Sequence, residues 1–134
     1  MKAATRKPCV LITGASGFIG QNLLLQLQEF GNYRILTFGR EDDEKKLFDF
    51  LMHADVVVHL AGENRPRSAS QFDKGNRQLT LQLASYVEKV FQKTGRLVAI
   101  VFASTNKSFD ETPYGLSKKF AEEALENLAT KTGN

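Results

Sequence analysis

Strand-sized apolar runs alternate with segments of helical period along this chain, and the first such junction is a glycine-rich string. Cys9 to Thr13 (CVLIT) is the first run, and the string TGASGFIG follows directly from it. Ile19, Leu23, Leu27 and Phe30 then recur every three or four residues, which predicts an amphipathic helix over Phe18 to Phe30. Gly31 and Asn32 end that helix, and Tyr33 to Phe38 reads as a second strand. The charged stretch Glu41 to Met52 holds a short helix, and Val56 to Leu60 carries the valine run of a strand buried on both faces. Leu79, Leu83, Val87 and Val90 mark another long helix, Leu97 to Phe102 another strand. A last helix begins near Tyr114, with Ala121, Leu125 and Leu128 on one face. Such alternation predicts an α/β fold: a Rossmann-like, doubly wound parallel sheet covered by helices on both faces.

Composition removes several classes of function. The 134 residues fit one domain, with 42% hydrophobic and 25% charged residues, ordinary for a globular protein. No apolar run approaches the length that spans a bilayer, and CVLIT is too short for the core of a secretory signal. The net charge of +3 is spread along the chain rather than concentrated, so neither nucleic acid nor a membrane is an expected partner. One cysteine forms no internal disulfide, which suits a reducing cytoplasm. Two histidines and that single cysteine, Cys9, make no metal-ligand cluster, so no metal is expected. Cys9 reads as a buried inert thiol and His59 as a packed strand residue, while His53 falls near a helix end, where positive charge suits the dipole.

Gly14, Gly17 and Gly20 stand between a strand and a helix. Glycine is required where a turn needs positive φ, or where backbone must approach a pyrophosphate with no Cβ between. The helix N-terminus that follows offers free N–H donors and the positive end of a dipole.

The spacing G-x-x-G-x-x-G resembles that of the extended short-chain dehydrogenase/reductases, the NAD-dependent epimerase/dehydratase family of nucleotide-sugar epimerases, dehydratases and reductases. Two further strings carry the likeness: His59-Leu60-Ala61-Gly62 closing the third strand, and the Y-x-x-x-K of Tyr114-Gly115-Leu116-Ser117-Lys118. All three occur in the family's order, over nearly the whole chain. The resemblance implies that Gly14, Ser16, Gly17, Phe18, Ile19 and Gly20 surround a nicotinamide dinucleotide. It also implies that Leu60, Ala61 and Gly62 pass beside its adenine ribose and pyrophosphate. Asn76 falls where the family has an asparagine near the cofactor, although Asn76-Arg77-Gln78-Leu79-Thr80 departs from the usual N-V-x-G-T, and helix capping is the other reading of it.

The form of the cofactor is read from the end of the second strand. An acid about 20 residues past the glycines ordinarily binds the adenosine ribose, and Phe38-Gly39-Arg40 puts Arg40 there instead. A guanidinium matches a 2′-phosphate and offers no acceptor to ribose hydroxyls, which favours NADP(H). Glu41 and Asp42 follow at once, so NAD(H) stays open.

Tyr114 and Lys118 lie four apart at the start of a helix and share a face. A carbonyl that gains hydride develops negative charge on oxygen, and a phenol can donate the neutralising proton. Its ordinary pKa of about 10 is lowered by a nearby ammonium. The resemblance assigns these roles to Tyr114 and Lys118, with Lys118 also holding the nicotinamide ribose and Tyr114 beside it. It assigns the third catalytic place, a hydroxyl that positions the carbonyl, to Thr105, with Ser104 as the alternative. Asn106-Lys107 stand where the 4,6-dehydratases of the family carry Asp-Glu, which disfavours dehydration.

A narrower likeness rests on ADVVVHLAGENRP (Ala54 to Pro66), Phe72-x-x-Gly75-Asn76 and Pro113-Tyr114-Gly115-x-Ser117-Lys118. It is to the bacterial capsule and O-antigen reductases of UDP-2-acetamido-2,6-dideoxy-hexos-4-uloses. The implied function is NADP(H)-dependent reduction of a UDP-4-keto-6-deoxy-hexosamine, a nucleotide-sugar partner. The alternatives are an epimerase of the same family and a non-catalytic NAD(P)-binding protein. Extended members run to roughly twice this length or more. Residues 1–134 are therefore expected to be the NAD(P)-binding domain with the substrate-binding part missing beyond its C-terminus, and a homodimer is expected at full length.

Overall fold

A computed structural model describes residues 6–39, 41–60 and 78–102. In these stretches the elements run β1 (Cys9–Thr13), α1 (Phe18–Phe30), β2 (Arg34–Phe38), α2 (Glu44–His53), β3 (Val56–His59), α3 (Leu79–Thr94) and β4 (Ala99–Phe102). The helix read over Phe18 to Phe30 is present at those bounds, and the three later strands are each shorter than their apolar runs. The helix expected from near Tyr114 lies outside the described residues.

The four strands form one parallel sheet in the order β2-β1-β3-β4. The chain leaves β1 toward β2, then crosses back to β3 on the other side. Right-handed crossovers in opposite directions place α1 on one face and both α2 and α3 on the other. Leu36, Leu11, Val57 and Ile100 are register partners across the sheet, and they meet Leu47 and Leu51 of α2 and Leu83, Val87 and Val90 of α3. This is the core. Burial of such aliphatic side chains is what holds the layers together, at roughly 25 cal/mol per Å² of apolar surface removed from water. The expectation that Val56 to Leu60 is buried on both faces needs correction. Val57 and His59 are fully buried, but Val56 and Val58 only half-buried, because α2 and α3 both pack on the Val57 side.

The amino edge of the sheet is closed by polar groups. Asp55, just ahead of β3, accepts a 2.7 Å hydrogen bond from the Cys9 N–H and a 2.7 Å ion pair from Arg6. Arg96 reaches the C-terminal end of α2, donating to the carbonyls of Leu51 (3.0 Å), Ala54 (2.5 Å) and Met52. Its guanidinium is also 3.9 Å from Asp55. His53 ends α2 where positive charge suits the helix dipole, in accord with its sequence position. The Cys9 thiol is fully buried, and its burial pushes the pKa up, so it stays protonated and inert as expected.

Candidate cofactor and active site

The carboxyl ends of the strands lie in one line, because Thr13 is the register partner of both Phe38 and His59, and His59 of Phe102. The connection reverses direction between β1 and β3. Open α/β sheets bind ligands at such a switch point, outside the carboxyl ends. The glycine string begins immediately after Thr13.

Gly14 has φ of 76°, a left-handed conformation that makes the chain turn out of β1. The turn is closed by Gly17 N–H to Gly14 O at 3.2 Å, and Gln21 N–H to Gly17 O at 2.9 Å continues into α1. Gly20 lets the helix pack on that turn: a Cβ there would collide with the Gly14 carbonyl and stand 2.7 Å from the Ala15 Cα. Gly17 differs. Its φ of −76° suits any residue, and an added Cβ would meet only the Gly14 carbonyl, at an ordinary 3.5 Å. Packing within the described residues thus gives no reason for its missing side chain, whereas close approach of a pyrophosphate does. Gly17 is also the N-cap of α1, with no side-chain cap and no acid in the first turn. Among the described residues, the first N–H groups of the helix and the positive end of its dipole thus meet no capping side chain and no acid of their own turn. Phe18 and Ile19 stand beside them, 84% and 64% exposed. Ser16 is exposed too, its carbonyl held by Gln21 Nε2 at 2.8 Å.

Beneath this loop lies a buried polar chain. The His59 imidazole hydrogen-bonds Thr13 Oγ1 through Nδ1 at 2.7 Å and Thr80 Oγ1 through Nε2 at 2.9 Å. It also stacks on Phe102 with ring centroids 5.7 Å apart. Leu60 N–H donates to both the carbonyl and the hydroxyl of Thr13, at 3.1 and 3.2 Å. One imidazole thus ties the ends of β1 and β3 to the first turn of α3, and the start of the Leu60 segment is set by Thr13. His59 is the packed residue the sequence implied. Its two threonine partners were not foreseen, since 46 and 21 residues separate them from it.

At the end of β2, Gly39 N–H donates to Asp42 Oδ2 at 2.8 Å, and Asp42 N–H returns to Gly39 O at 3.1 Å. Lys46 Nζ binds Asp42 Oδ1 at 2.7 Å. The Lys46 hydrogen bond, with the Gly39 N–H behind it, holds the Asp42 carboxyl below its ordinary pKa. Asp43 caps α2 by accepting from Lys46 N–H at 2.9 Å. This cluster too was missed, although Asp42 and Lys46 stand at the i, i+4 spacing that favours an ion pair.

Of the residues singled out from the sequence, Gly14, Ser16, Gly17, Phe18, Ile19, Gly20 and Leu60 are described, and they gather at the carboxyl edge beside the switch point. Arg40, Ala61, Gly62, Asn76, Thr105, Tyr114 and Lys118 lie outside the described residues. Among the described residues no group of three or more potential ligands could hold a metal ion, and no helix is long and apolar enough to cross a membrane.

A parallel sheet with a glycine turn and an uncapped helix at its switch point defines a Rossmann-like dinucleotide-binding fold. Comparison with known proteins narrows this: the NAD dependent epimerase/dehydratase family matches residues 10–134, and the chain belongs to that family. It is 37% identical over 124 residues to a UDP-2-acetamido-2,6-beta-L-arabino-hexul-4-ose reductase from Pseudomonas aeruginosa, an alignment covering 92% of this chain and 32% of the reductase. Among solved structures, the capsular polysaccharide assembling protein CapF from Staphylococcus aureus superposes with a TM-score of 0.74 at 33% identity. That match covers 93% of this chain and 33% of CapF. A UDP-glucuronic acid 4-epimerase from Bacillus cereus in complex with NAD superposes at 0.76, over 93% of this chain and 53% of the epimerase, and at 20% identity it supports the fold alone. The chain thus spans about a third of the length of the reductase and of CapF.

Proposed function

We propose that residues 1–134 are the NAD(P)-binding domain of an NADP(H)-dependent reductase that acts on a UDP-4-keto-6-deoxy-hexosamine in capsule or O-antigen nucleotide-sugar synthesis in the cytoplasm. The observation that carries this reading is Gly17: a bare Cα that packing does not require, at an uncapped helix N-terminus on the switch point. The 37% identity to a UDP-hexulose reductase supports the choice of substrate class.

The residues present suit a dinucleotide. Backbone N–H groups of Gly17, Phe18 and Ile19 would take the pyrophosphate, with Gly14, Ser16 and Gly20 shaping the turn that presents them. Leu60, Ala61, Gly62 and Asn76 would flank the adenosine and ribose, and Arg40 would take the 2′-phosphate. When bound, the reduced nicotinamide supplies hydride to the sugar carbonyl. Thr105 would hydrogen-bond that carbonyl and hold its orientation, worth rate through positioning alone. Tyr114 would donate its phenolic proton to the developing alkoxide, and Lys118 would lower the phenol's pKa and anchor the nicotinamide ribose.

Tyr114→Phe tests the assignment in a chain extended to the length of the P. aeruginosa reductase. The ring is kept and the proton is lost, so the rate of NADPH oxidation with a UDP-4-keto-6-deoxy-hexosamine falls by roughly 10²-fold or more. Near wild-type rates would show that the phenol is not the acid. Epimerisation of UDP-sugars without net NADPH oxidation would overturn the reductase and leave the site standing.

A further inference from the structure

Four consecutive acids, Glu41 to Glu44, follow Arg40 at the strand end where dinucleotide folds read the adenosine ribose. A 2′-phosphate adds a divalent anion to that place, and four free carboxylates would repel it. The structure accounts for three of them. Both Asp42 oxygens are engaged, one by Gly39 N–H and one by Lys46 Nζ. Asp43 accepts from Lys46 N–H, and Glu44 accepts from the Tyr86 hydroxyl at 3.3 Å. Lys46 serves two of the three, Asp42 through its ammonium and Asp43 through its backbone N–H, and the ammonium also lies 5.4 Å from the centroid of the Phe50 ring. The Asp42 carboxylate lies beside Gly39, the residue that leaves β2, so its charge is set at the carboxyl edge of the sheet.

We propose that Lys46 is a specificity-determining residue for the cofactor: its ammonium neutralises Asp42 at the end of β2, so that an acid-rich junction accepts a 2′-phosphorylated adenosine ribose. The inference rests on the NADP(H) reading above and adds a second cation to Arg40. Lys46 acts through Asp42 and is a positioning residue. A purely structural lysine would affect NADPH and NADH alike. A charge-masking lysine affects NADPH alone, because only that cofactor brings extra negative charge.

Titration of this chain with NADPH and NADH, followed by cofactor fluorescence at low salt, separates the two. Lys46→Met is expected to raise the Kd for NADPH about fivefold and to change that for NADH less than about twofold, the scale of a divalent charge acting across a Debye length. Lys46→Arg keeps the charge and restores the wild-type ratio. Asp42→Asn keeps an acceptor for Gly39, removes the negative charge, and tightens NADPH. Salt near 1 M shrinks all these differences. Equal weakening of both cofactors by Lys46→Met, or no change in either, overturns the proposal. A wild-type chain that binds neither cofactor overturns both readings. One that binds both equally, while Lys46→Met still weakens NADPH alone, overturns only the NADP(H) preference.

Discussion

The two edges of the sheet use their polar groups in opposite ways. At the amino edge the described polar groups are turned inward: Asp55 takes the Cys9 N–H and Arg6, and Arg96 covers three carbonyls at the end of α2. At the carboxyl edge a helix begins without a side-chain cap, a glycine stands where an alanine would fit, and two apolar side chains are left exposed. The interior of that edge, around His59, and the turn at the end of β2, around Asp42, are closed by hydrogen bonds. The contrast separates stability from function within one sheet. Groups satisfied by the chain hold it together, and groups left to solvent are available to a ligand.

The strongest test of the contrast is at the amino edge. Arg96→Met leaves the carbonyls of Leu51, Met52 and Ala54 without their guanidinium and should cost about 2 kcal/mol of stability, measured by urea unfolding. The Kd of the folded chain for NADPH should stay unchanged, and a large change in it would mean the edges are coupled.

Gly17→Ala is the converse experiment. The Cβ meets no neighbour closer than 3.5 Å, so unfolding free energy should drop by no more than about 1 kcal/mol, the scale of changing an N-cap. Cofactor affinity should fall about tenfold or more, equivalent to about 1.4 kcal/mol, when read by titration. Unaltered binding would remove the main support for a pyrophosphate at this loop.

The smallest expected effect is the acid response of Asp55. The Cys9 N–H hydrogen bond, with Arg6 and Arg96 nearby, holds its pKa below the ordinary 3.8, so the carboxylate stabilises the fold fully above about pH 4. That contribution is lost as pH falls through the lower folded value, because the unfolded chain binds the proton first. With Asp55 partly exposed, its size is less than about 1 kcal/mol. Asp55→Asn should flatten this part of the stability profile below about pH 4, by thermal melts at each pH, and should leave cofactor binding unaffected.

How much of this was legible depends on the range of the interactions. The Phe18–Phe30 helix could be read because its apolar spacing is local, and the glycine turn because positive φ and the Gly20 contact act within seven residues. Family resemblance brought Leu60 and His59 to the same edge through a contiguous motif. The ends of the later strands were less legible: Tyr33, Leu60, Leu97 and Val98 continue the apolar pattern, yet pairing, which stops at the last register partner, excludes them.

Other features existed only once the sheet had formed. The side that each crossover takes decided that Val57 is buried more deeply than Val56, although both are valines in one run. The meeting of Thr13, His59 and Thr80 needed two strands and a helix in register, and Arg96 found the end of α2 across more than 40 residues. Local pattern therefore determined which segments are strand, helix and glycine turn, because backbone preference and periodicity operate over a few residues. Tertiary structure decided which polar groups distant in the chain are used up, because a hydrogen bond between remote segments depends on distance in space, whereas local ones such as Asp42 with Lys46 follow helical spacing.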